Sequence, residues 1–209
     1  MKKNVIDEPS FHEDQIPGSV SDLIREDRIY GKCFSECALD DVQGMRFSEC
    51  CFDHVTFTGS MRSLDLADVI FEGCDLSNMN FSETSLRRVV FRHCRLIGTD
   101  CSLSSFQHVK MEGCRCSYLN LNGASIRHVL LSSCDFTDAS MNDCRINGLQ
   151  LSEDIFVHTE FLGTQLKDLD FSDSTLQGIS VNPQSVPGMI VNASQAVELV
   201  SLLGIVVKE

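Results

Sequence analysis

The residues in this sequence that are best suited to chemistry are its cysteines, of which there are eleven. One subset recurs at every twentieth position, as Cys74, Cys94, Cys114 and Cys134. Tetrahedral zinc requires ligands that converge on one point, which residues repeated along a line cannot supply. Parallel side chains in such a line also hold their Cβ atoms farther apart than the ~3.8 Å of a disulfide. An odd cysteine count without a secretion signal predicts reduced thiols, and we interpret the spaced set as small buried residues.

Two histidines share that spacing. His108 and His128 follow Arg88 at successive twentieth positions, so the three side chains should be neighbours on one outward face. The pair is either a metal site or two exposed neighbours, and we favour the second interpretation. The sequence contains no G-x-S-x-G motif, phosphate-binding glycine loop, H-E-x-x-H or paired C-x-x-C. We therefore predict a binding protein that is not an enzyme, with no catalytic residues, no metal and no cofactor.

An internal repeat with a period of five must position these side chains. From Met61 to Val181 every fifth residue is apolar or cysteine, and the register never slips. The residue two positions earlier is mostly small or apolar, and the other three are largely polar. This period matches neither an α-helix nor a simple strand. It predicts short extended segments joined by corners, with two side chains of each five pointing inward.

A longer period indicates how many segments close one circuit. Like residues recur at every twentieth position, as in the series Val69, Val89, Val109, Val129, Leu149 and Leu169. Four segments per coil give a square cross-section. One coil cannot bury its interior alone, so coils must stack into a solenoid whose backbone N–H and C=O groups pair between coils. At ~4.8 Å per coil, residues 61–180 would form a column about 29 Å long.

Two segments carry this pattern clearly, CDLSNMNFSETSL at 74–86 and CDFTDASMND at 134–143. They combine a central Leu, Phe or Met with a small residue two positions earlier and with Asp or Asn among the rest. In this the chain resembles the pentapeptide-repeat family. The resemblance implies an all-β fold, a right-handed quadrilateral β-helix, which we assign to residues 31–181. A short C-terminal α-helix should follow it.

Residues 1–30 should form an acidic N-terminal arm or a short capping element. Helical spacing favours a short helix on the first coil, carried by Ile16, Val20, Leu23 and Ile24. Ser19 or Ser21 is suited to cap that helix, and a mobile arm is the alternative.

The repeat is present but changes register between Phe34 and Phe57. One shift lies between Leu39 and Val42, and a second lies at 58–61, where Gly59 favours a turn. We expect a corner bulge or tight loop at these places and no domain boundary.

Residues 182–209 have a different chemistry. Asn192 and Gln195 form a capping-box pair, and a helix from Ala193 to Leu203 would end at Gly204. The segment is too apolar for a solvated tail. It is either a cap over the open end of the column or a dimer contact between two chains, and both can hold at once. The candidate dimer residues are Ala196, Val197, Leu199, Val200, Leu203, Ile205 and Val207.

The tail sequence QAVELVSLLGIVV narrows the resemblance from the whole repeat family to one group within it. An acidic repeat column that ends in such a helix resembles the Qnr-type quinolone-resistance proteins of Gram-positive bacteria. This resemblance implies a homodimeric rod that mimics DNA and binds DNA gyrase and topoisomerase IV, protecting them from quinolones or modulating their activity. Some proteins of this type carry projecting loops, for which the unbroken register of residues 61–181 leaves no room. Protection from quinolones would then be weaker or replaced by inhibition.

The net charge of −13 is compatible with DNA mimicry and argues against direct binding of nucleic acid. Duplex DNA carries one negative charge per about 1.7 Å, so the saddle that binds it must be basic. A rigid column with outward carboxylates would be steered to that saddle. If the tails pair, one group of carboxylates gathers near the dimer centre and faces the topoisomerase: Asp143, Glu153, Asp154, Glu160, Asp168, Asp170 and Asp173.

The charge is not uniform, which leaves a second hypothesis open. Residues 81–120 are net positive. The chain could therefore be a scaffolding module that binds an acidic partner through a basic stripe of Arg87, Arg88, Arg127, His108 and His128. With no signal peptide and no membrane-length apolar run, the protein is expected in the cytoplasm.

Overall fold

The computed structural model describes residues 5–12, 14–200 and 204–207. The chain forms a parallel β-solenoid of about eight turns, which confirms the predicted β-helix. Within the described ranges, thirteen strands build it: β1 Ile16–Pro17, β2 Arg28–Tyr30, β3 Lys32–Ser35, β4 Ala38–Asp40, β5 Arg46–Asp53, β6 Thr56–Thr58, β7 Asp65–Glu72, β8 Ser85–Arg92, β9 Ser105–Glu112, β10 Ser125–Ser132, β11 Arg145–Ser152, β12 Ile155–Val157 and β13 Thr175–Gln177. The helices are α1 Val20–Arg25, a 3₁₀ turn at Pro183–Ser185, and α2 Ala193–Val200.

The column has four sides, as the period of twenty predicts. The long strands β7 to β11 pair in parallel, each residue with its equivalent twenty positions on, for example Leu66 with Leu86 and Phe71 with Phe91. Each strand covers two sides, which we call the first (around Leu66) and the second (around Phe71). The third side pairs through the short strands β4–β6 and β12–β13 and through isolated bridges from Thr56↔Asp75 onward. The fourth side pairs through isolated bridges from Ser60↔Asn80 onward. Residues separated by twenty positions therefore share a side.

Each long strand turns a corner at its middle residue. This residue adopts a positive φ, of 58° at Asp68, 52° at Arg88 and 55° at His108. Positive φ is uncommon for residues other than glycine, and the pairing on both flanks holds it in place. The corner residues of successive coils consequently lie one above another.

The interior is filled by the residues that the period of five selects. Every central residue from Met61 to Val181 is buried except Ile146 and Leu151, which are partly buried and pack against the core. On the second side, the Phe34, Phe52, Phe71 and Phe91 rings stack with centroid separations of 5.4, 4.8 and 4.8 Å. This stack continues through the region where the register changes.

The register changes occur where the sequence predicts them. The pairing interval is eighteen positions between Leu39 and Phe57, nineteen between Phe47 and Leu66, and twenty between Ser60 and Asn80. Gly59 has a φ of +73°, and a Cβ atom there would lie 2.7 Å from the Asp40 carboxylate. The first coils are thus shorter than the later ones, and parallel pairing crosses both shifts without a break.

Both ends of the column carry a short helix. At the N-terminus, Ser19 and Asp22 form a capping box and Leu23 packs against the core, so the structure has the predicted short helix at Val20–Arg25. The prediction that Ile16 belongs to this helix is wrong, because Ile16 lies in β1, where it pairs with Lys32 and is 55% exposed. At the C-terminus, the Asn192 carboxamide accepts the Gln195 amide at 3.0 Å, and the Gln195 side chain accepts the Asn192 amide at 2.8 Å. This confirms the second capping box. The predicted helix residues 201–203 lie outside the described part of the chain.

The phenylalanine stack supports a stability prediction. Phe71 is fully buried between Phe52 and Phe91. We expect Phe71→Ala to lower the free energy of unfolding by about 3–5 kcal/mol, because the side chain is lost and a cavity remains. Urea unfolding followed by circular dichroism measures this change. The control is Tyr118→Ala, whose side chain is 62% exposed and should cost less than about 0.5 kcal/mol. Equal losses in both variants would contradict the stacked core.

Candidate functional site

The predicted topoisomerase-facing carboxylates do not all lie on one side of the column. Glu153, Asp170 and Asp173 lie on the second side and at its far corner, since their positions match Phe71 and the residues around it at multiples of twenty. Asp143 and Glu160 lie on the fourth side, which is opposite. Asp168 stands at the corner between the first and second sides and has a φ of 63°. All six are exposed.

These carboxylates also differ in their partners. The Glu160 carboxylate accepts a hydrogen bond from the Asn142 side-chain amide at 2.9 Å. The Ser172 hydroxyl and amide donate to Asp170 at 2.6 and 3.0 Å and lower the pKa of that carboxyl. Asp170 therefore stays charged and points away from the core. The second side has the larger group of carboxylates open to a partner.

The prediction that Asp154 faces outward is wrong. Asp154 is 1% exposed and sits two positions before the buried Phe156, at the place in the repeat that points inward. Its carboxylate accepts the Cys134 amide at 2.9 Å and the Ser152 amide at 3.1 Å. Burial raises the pKa of Asp154 to about 6. The repeat frame contains this signal, because the same position holds the small residues Cys134 and Ser174 in the adjacent coils.

The C-terminal helix caps the column. The buried Gln195 side chain donates to the carbonyls of Phe171 at 2.9 Å and Ser174 at 2.7 Å, and Leu199 packs against the core. Sequence reasoning places Gln195 only in the helix cap and misses its bonds to the last coil. No local signal in the sequence reveals those bonds.

The predicted dimer residues divide between this cap and the surface. Leu199 and Val200 are partly buried, and Leu203 lies outside the described residues. Ala196 is exposed. The remaining candidates, together with Val206, present large apolar side chains that are 51 to 81% exposed: Val197, Ile205, Val206 and Val207. A cluster of this kind is uncommon on a monomer and is suited to contact with another surface.

Of the predicted basic stripe, Arg88, His108 and His128 lie along the corner between the first and second sides, and Arg87 and Arg127 lie beside it on the first side. We define the corner ladder as the stacked residues Glu49, Asp68, Arg88, His108 and His128. The rings of its two histidines stack at 5.0 Å, which confirms that they are neighbours, although both are only partly exposed. Arg88 donates to both carboxylate oxygens of Asp68, at 2.6 and 2.5 Å. Burial is the largest single effect on Asp68 and raises its pKa, but the bonds from Arg88 and the Ser10 amide and the charges of Arg88 and Arg87 together lower the pKa of that carboxyl.

The N-terminal arm lies on this ladder. The His12 amide donates to the Glu49 carboxylate at 2.8 Å, and the Ser10 amide donates to Asp68 at 3.0 Å. Farther along, the Asp7 amide donates to Nδ1 of His108 at 3.1 Å. The arm therefore crosses successive coils in the direction opposite to chain growth. These contacts join residues far apart in the chain, and no pattern in the sequence predicts them.

The prediction that all cysteines are reduced is wrong for one pair. Cys33 and Cys51 form a disulfide, with their Cα atoms 4.5 Å apart. Both precede a buried phenylalanine, so they point outward on adjacent coils and pair across one of the shorter coils. The inward set remains free, as predicted, and its thiols donate to backbone carbonyls, for example Cys74 to Phe52 at 3.3 Å.

No group of three or more His, Cys, Asp or Glu side chains in residues 5–12, 14–200 and 204–207 is placed to hold a metal ion. Within the same ranges, none of the helices has the length and apolar character needed to span a membrane.

Two family models of the pentapeptide repeat match parts of the sequence. A pentapeptide repeat region matches residues 64–135, and an array of eight pentapeptide repeats matches residues 120–153. These matches place pentapeptide repeats over residues 64–153, within the four-sided column. Comparison with curated protein sequences gives no significant match.

Several solved structures are similar to this chain. A trypsin-treated variant of QnrB1, a plasmid-mediated fluoroquinolone resistance protein, is 18% identical, with 87% of this chain and 99% of that chain covered and a TM-score of 0.47. Full-length QnrB1 is also 18% identical, with 85% and 99% covered and a TM-score of 0.36. HetL, involved in heterocyst differentiation regulation in Nostoc sp. Strain PCC 7120, is 16% identical, with 78% and 91% covered and a TM-score of 0.28.

The buried Asp154 supports a prediction about pH. Its pKa is about 6 in the folded state against 3.8 for the free group. The folded state therefore binds the proton more tightly, and stability is lost as pH rises from about 4 through 6. Asp154→Asn removes the titrating carboxyl and with it this loss of stability at higher pH. The stability of the variant relative to the native chain should rise by about 2 kcal/mol between about pH 4 and pH 7.5.

Urea unfolding of both proteins at the two pH values measures this difference. The comparison does not depend on any constant cost of the substitution, because that cost cancels between the two pH values. Asp143→Asn, which removes an exposed carboxylate, serves as the control. A relative stability of Asp154→Asn that stays constant with pH would show that the carboxyl is not buried.

Proposed function

We propose that this chain is a Qnr-like binding protein without enzymatic activity. It would occupy the DNA-binding saddle of a type II topoisomerase, DNA gyrase or topoisomerase IV, and so protect the enzyme from quinolones or modulate it. The observation that carries the proposal is the unbroken column from Met61 to Val181, whose last coils hold exposed carboxylates on a packed core. The sequence of the tail, which resembles Qnr-type proteins, supports the same function.

The charge distribution favours the second side near the C-terminal end as the contact surface. Glu153, Asp170 and Asp173 are exposed there on adjacent coils, with Asp168 at the neighbouring corner. At ~4.8 Å per coil, the spacing between these carboxylates approaches the spacing of the charges along a DNA duplex. A basic saddle would attract this surface through long-range electrostatics. The bound protein would offer the enzyme no bond that it can cleave.

A dimer would double this surface. The exposed apolar residues of α2 and the tail lie at the same end of the column as the carboxylates. An isologous contact through these residues would bring two copies of the acidic second side together around a twofold axis. The enzyme-facing zone would then lie at the centre of a rod, with the basic coils farther away.

Gyrase supercoiling, titrated with the protein in the presence and absence of ciprofloxacin, tests the proposed function. We expect restored supercoiling with the drug, or inhibition without it at higher protein concentration. The variant Glu153→Lys/Asp170→Lys/Asp173→Lys should need at least about tenfold more protein, because like charges would oppose the saddle. Asp143→Lys/Glu160→Lys, on the opposite side, should act like the native chain. No effect of the native protein on gyrase or topoisomerase IV would refute the proposal.

The dimer has a separate test. Val197→Glu/Ile205→Glu places charges in the exposed apolar surface and should convert the dimer to a monomer, because unpaired charges cannot be buried in an apolar contact. Light scattering coupled to size-exclusion chromatography measures the mass. Leu162→Glu, at a residue 42% exposed on the fourth side, should leave the mass of a dimer unchanged. If the native chain is itself a monomer, α2 acts only as a cap.

A further inference from the structure

The contacts of the N-terminal arm describe a peptide bound in an extended conformation. Residues 7 to 12 contact three rungs of the corner ladder, at Glu49, Asp68 and His108. The arm donates backbone amides to each of the three. This mode of contact depends on the extended backbone more than on the particular side chains, so a different peptide of similar charge could adopt it.

Charge and burial add to the backbone contacts. The Glu8 carboxylate pairs with Lys110, whose side chain is only 17% exposed, and Lys110 lowers the pKa of Glu8. The Asp7 carboxylate lies 3.5 Å from His108. Val90 points outward between its buried neighbours, yet it is 1% exposed. Its coil lies between those of Asp68 and Lys110, which Ser10 and Glu8 contact.

The ladder continues beyond the last rung that the arm contacts. On the next coil, the buried Nδ1 of His128 has no hydrogen-bond partner among the described residues. Beside it is an open cavity of about 360 Å³, lined by Gln107, His108, Ser125, Arg127, His128, Arg145, Ile146 and Asn147. Arg127 and Arg145 both line this cavity, and two guanidinium groups there are suited to a carboxylate.

We propose that the corner ladder and this basic cavity form a docking groove for an extended acidic peptide of a partner protein. The N-terminal arm of the chain is the intramolecular occupant of the groove, and the partner peptide displaces it. The partner peptide follows the track of the arm and places a further carboxylate in the cavity at Arg127 and Arg145. This groove lies apart from the acidic second side near the C-terminus and does not depend on topoisomerase binding.

The arm itself supplies the probe. A fluorescent peptide of residues 5–15 is titrated against full-length proteins, and its anisotropy is measured. The native chain should bind it weakly, because the tethered arm competes at high effective concentration. Asp7→Lys/Glu8→Lys repels the tethered arm from Arg88 and Lys110 but leaves the groove intact. This variant should bind the peptide at least about fivefold more tightly than the native chain, and salt should weaken the binding.

A charge exchange gives the matched controls. Adding Lys110→Glu to the Asp7→Lys/Glu8→Lys chain should abolish binding of the native peptide. Arg115→Glu, added to the same chain, makes the same change of charge on the third side and should leave binding unchanged. In a chain that carries only Glu8→Lys and Lys110→Glu, the arm should bind the groove again. Slow hydrogen exchange of the Asp7 and Ser10 amides reports this recovery, and circular dichroism confirms that each variant is folded.

A peptide with two glutamates added before Val5 tests the cavity. It should bind the Asp7→Lys/Glu8→Lys chain at least about threefold more tightly than the shorter peptide, and Arg127→Glu should remove that gain. An absence of gain would overturn the part of the proposal that concerns the cavity. Equal binding of the shorter peptide to the native and Asp7→Lys/Glu8→Lys chains, or binding that persists after Lys110→Glu, would overturn the groove.

Discussion

The structure depends on backbone hydrogen bonds between successive coils. The Leu76 amide donates to the Arg95 carbonyl at 2.8 Å, and the Arg95 amide donates back to the Cys74 carbonyl at 2.9 Å. This exchange repeats along the column. A single coil has no partner for its own peptide groups, so no coil is stable without the next. Pairing between every residue and its equivalent one coil later then places each side chain directly above the next.

The inside and the outside of the column follow from that stacking. Inside, it aligns the phenylalanine rings at 4.8 Å and the cysteines that donate to carbonyls. Outside, it aligns charges: like charges repel along a row, and opposite charges such as Asp68 and Arg88 pair across coils. The surface therefore consists of parallel rows of different character. An acidic second side and a basic corner can coexist on one narrow molecule for this reason.

The features that repeat in every coil can be predicted from the sequence, whereas the contacts that occur only once cannot. The central residues, the four sides, the register shifts and both helix caps follow from spacing, because every coil obeys the same rule. Grouping Asp154 by charge with its neighbours misplaces it, although its position in the frame marks it as inward. The Cys33–Cys51 bond follows from a shorter coil that the regular period does not describe. The contacts of Asp7 and Ser10 join residues far apart in sequence, and no periodicity encodes them.

The bonds from Gln195 have a consequence for assembly. A parallel column ends in a row of carbonyl and amide groups that could pair with the first coil of another molecule, and such growth would produce a fibre. The Gln195 side chain uses the carbonyls of Phe171 and Ser174, and Asn192 donates to that of Ser172. Three carbonyls of the last coil are therefore closed to a strand of another molecule, which opposes end-to-end polymerisation at this end.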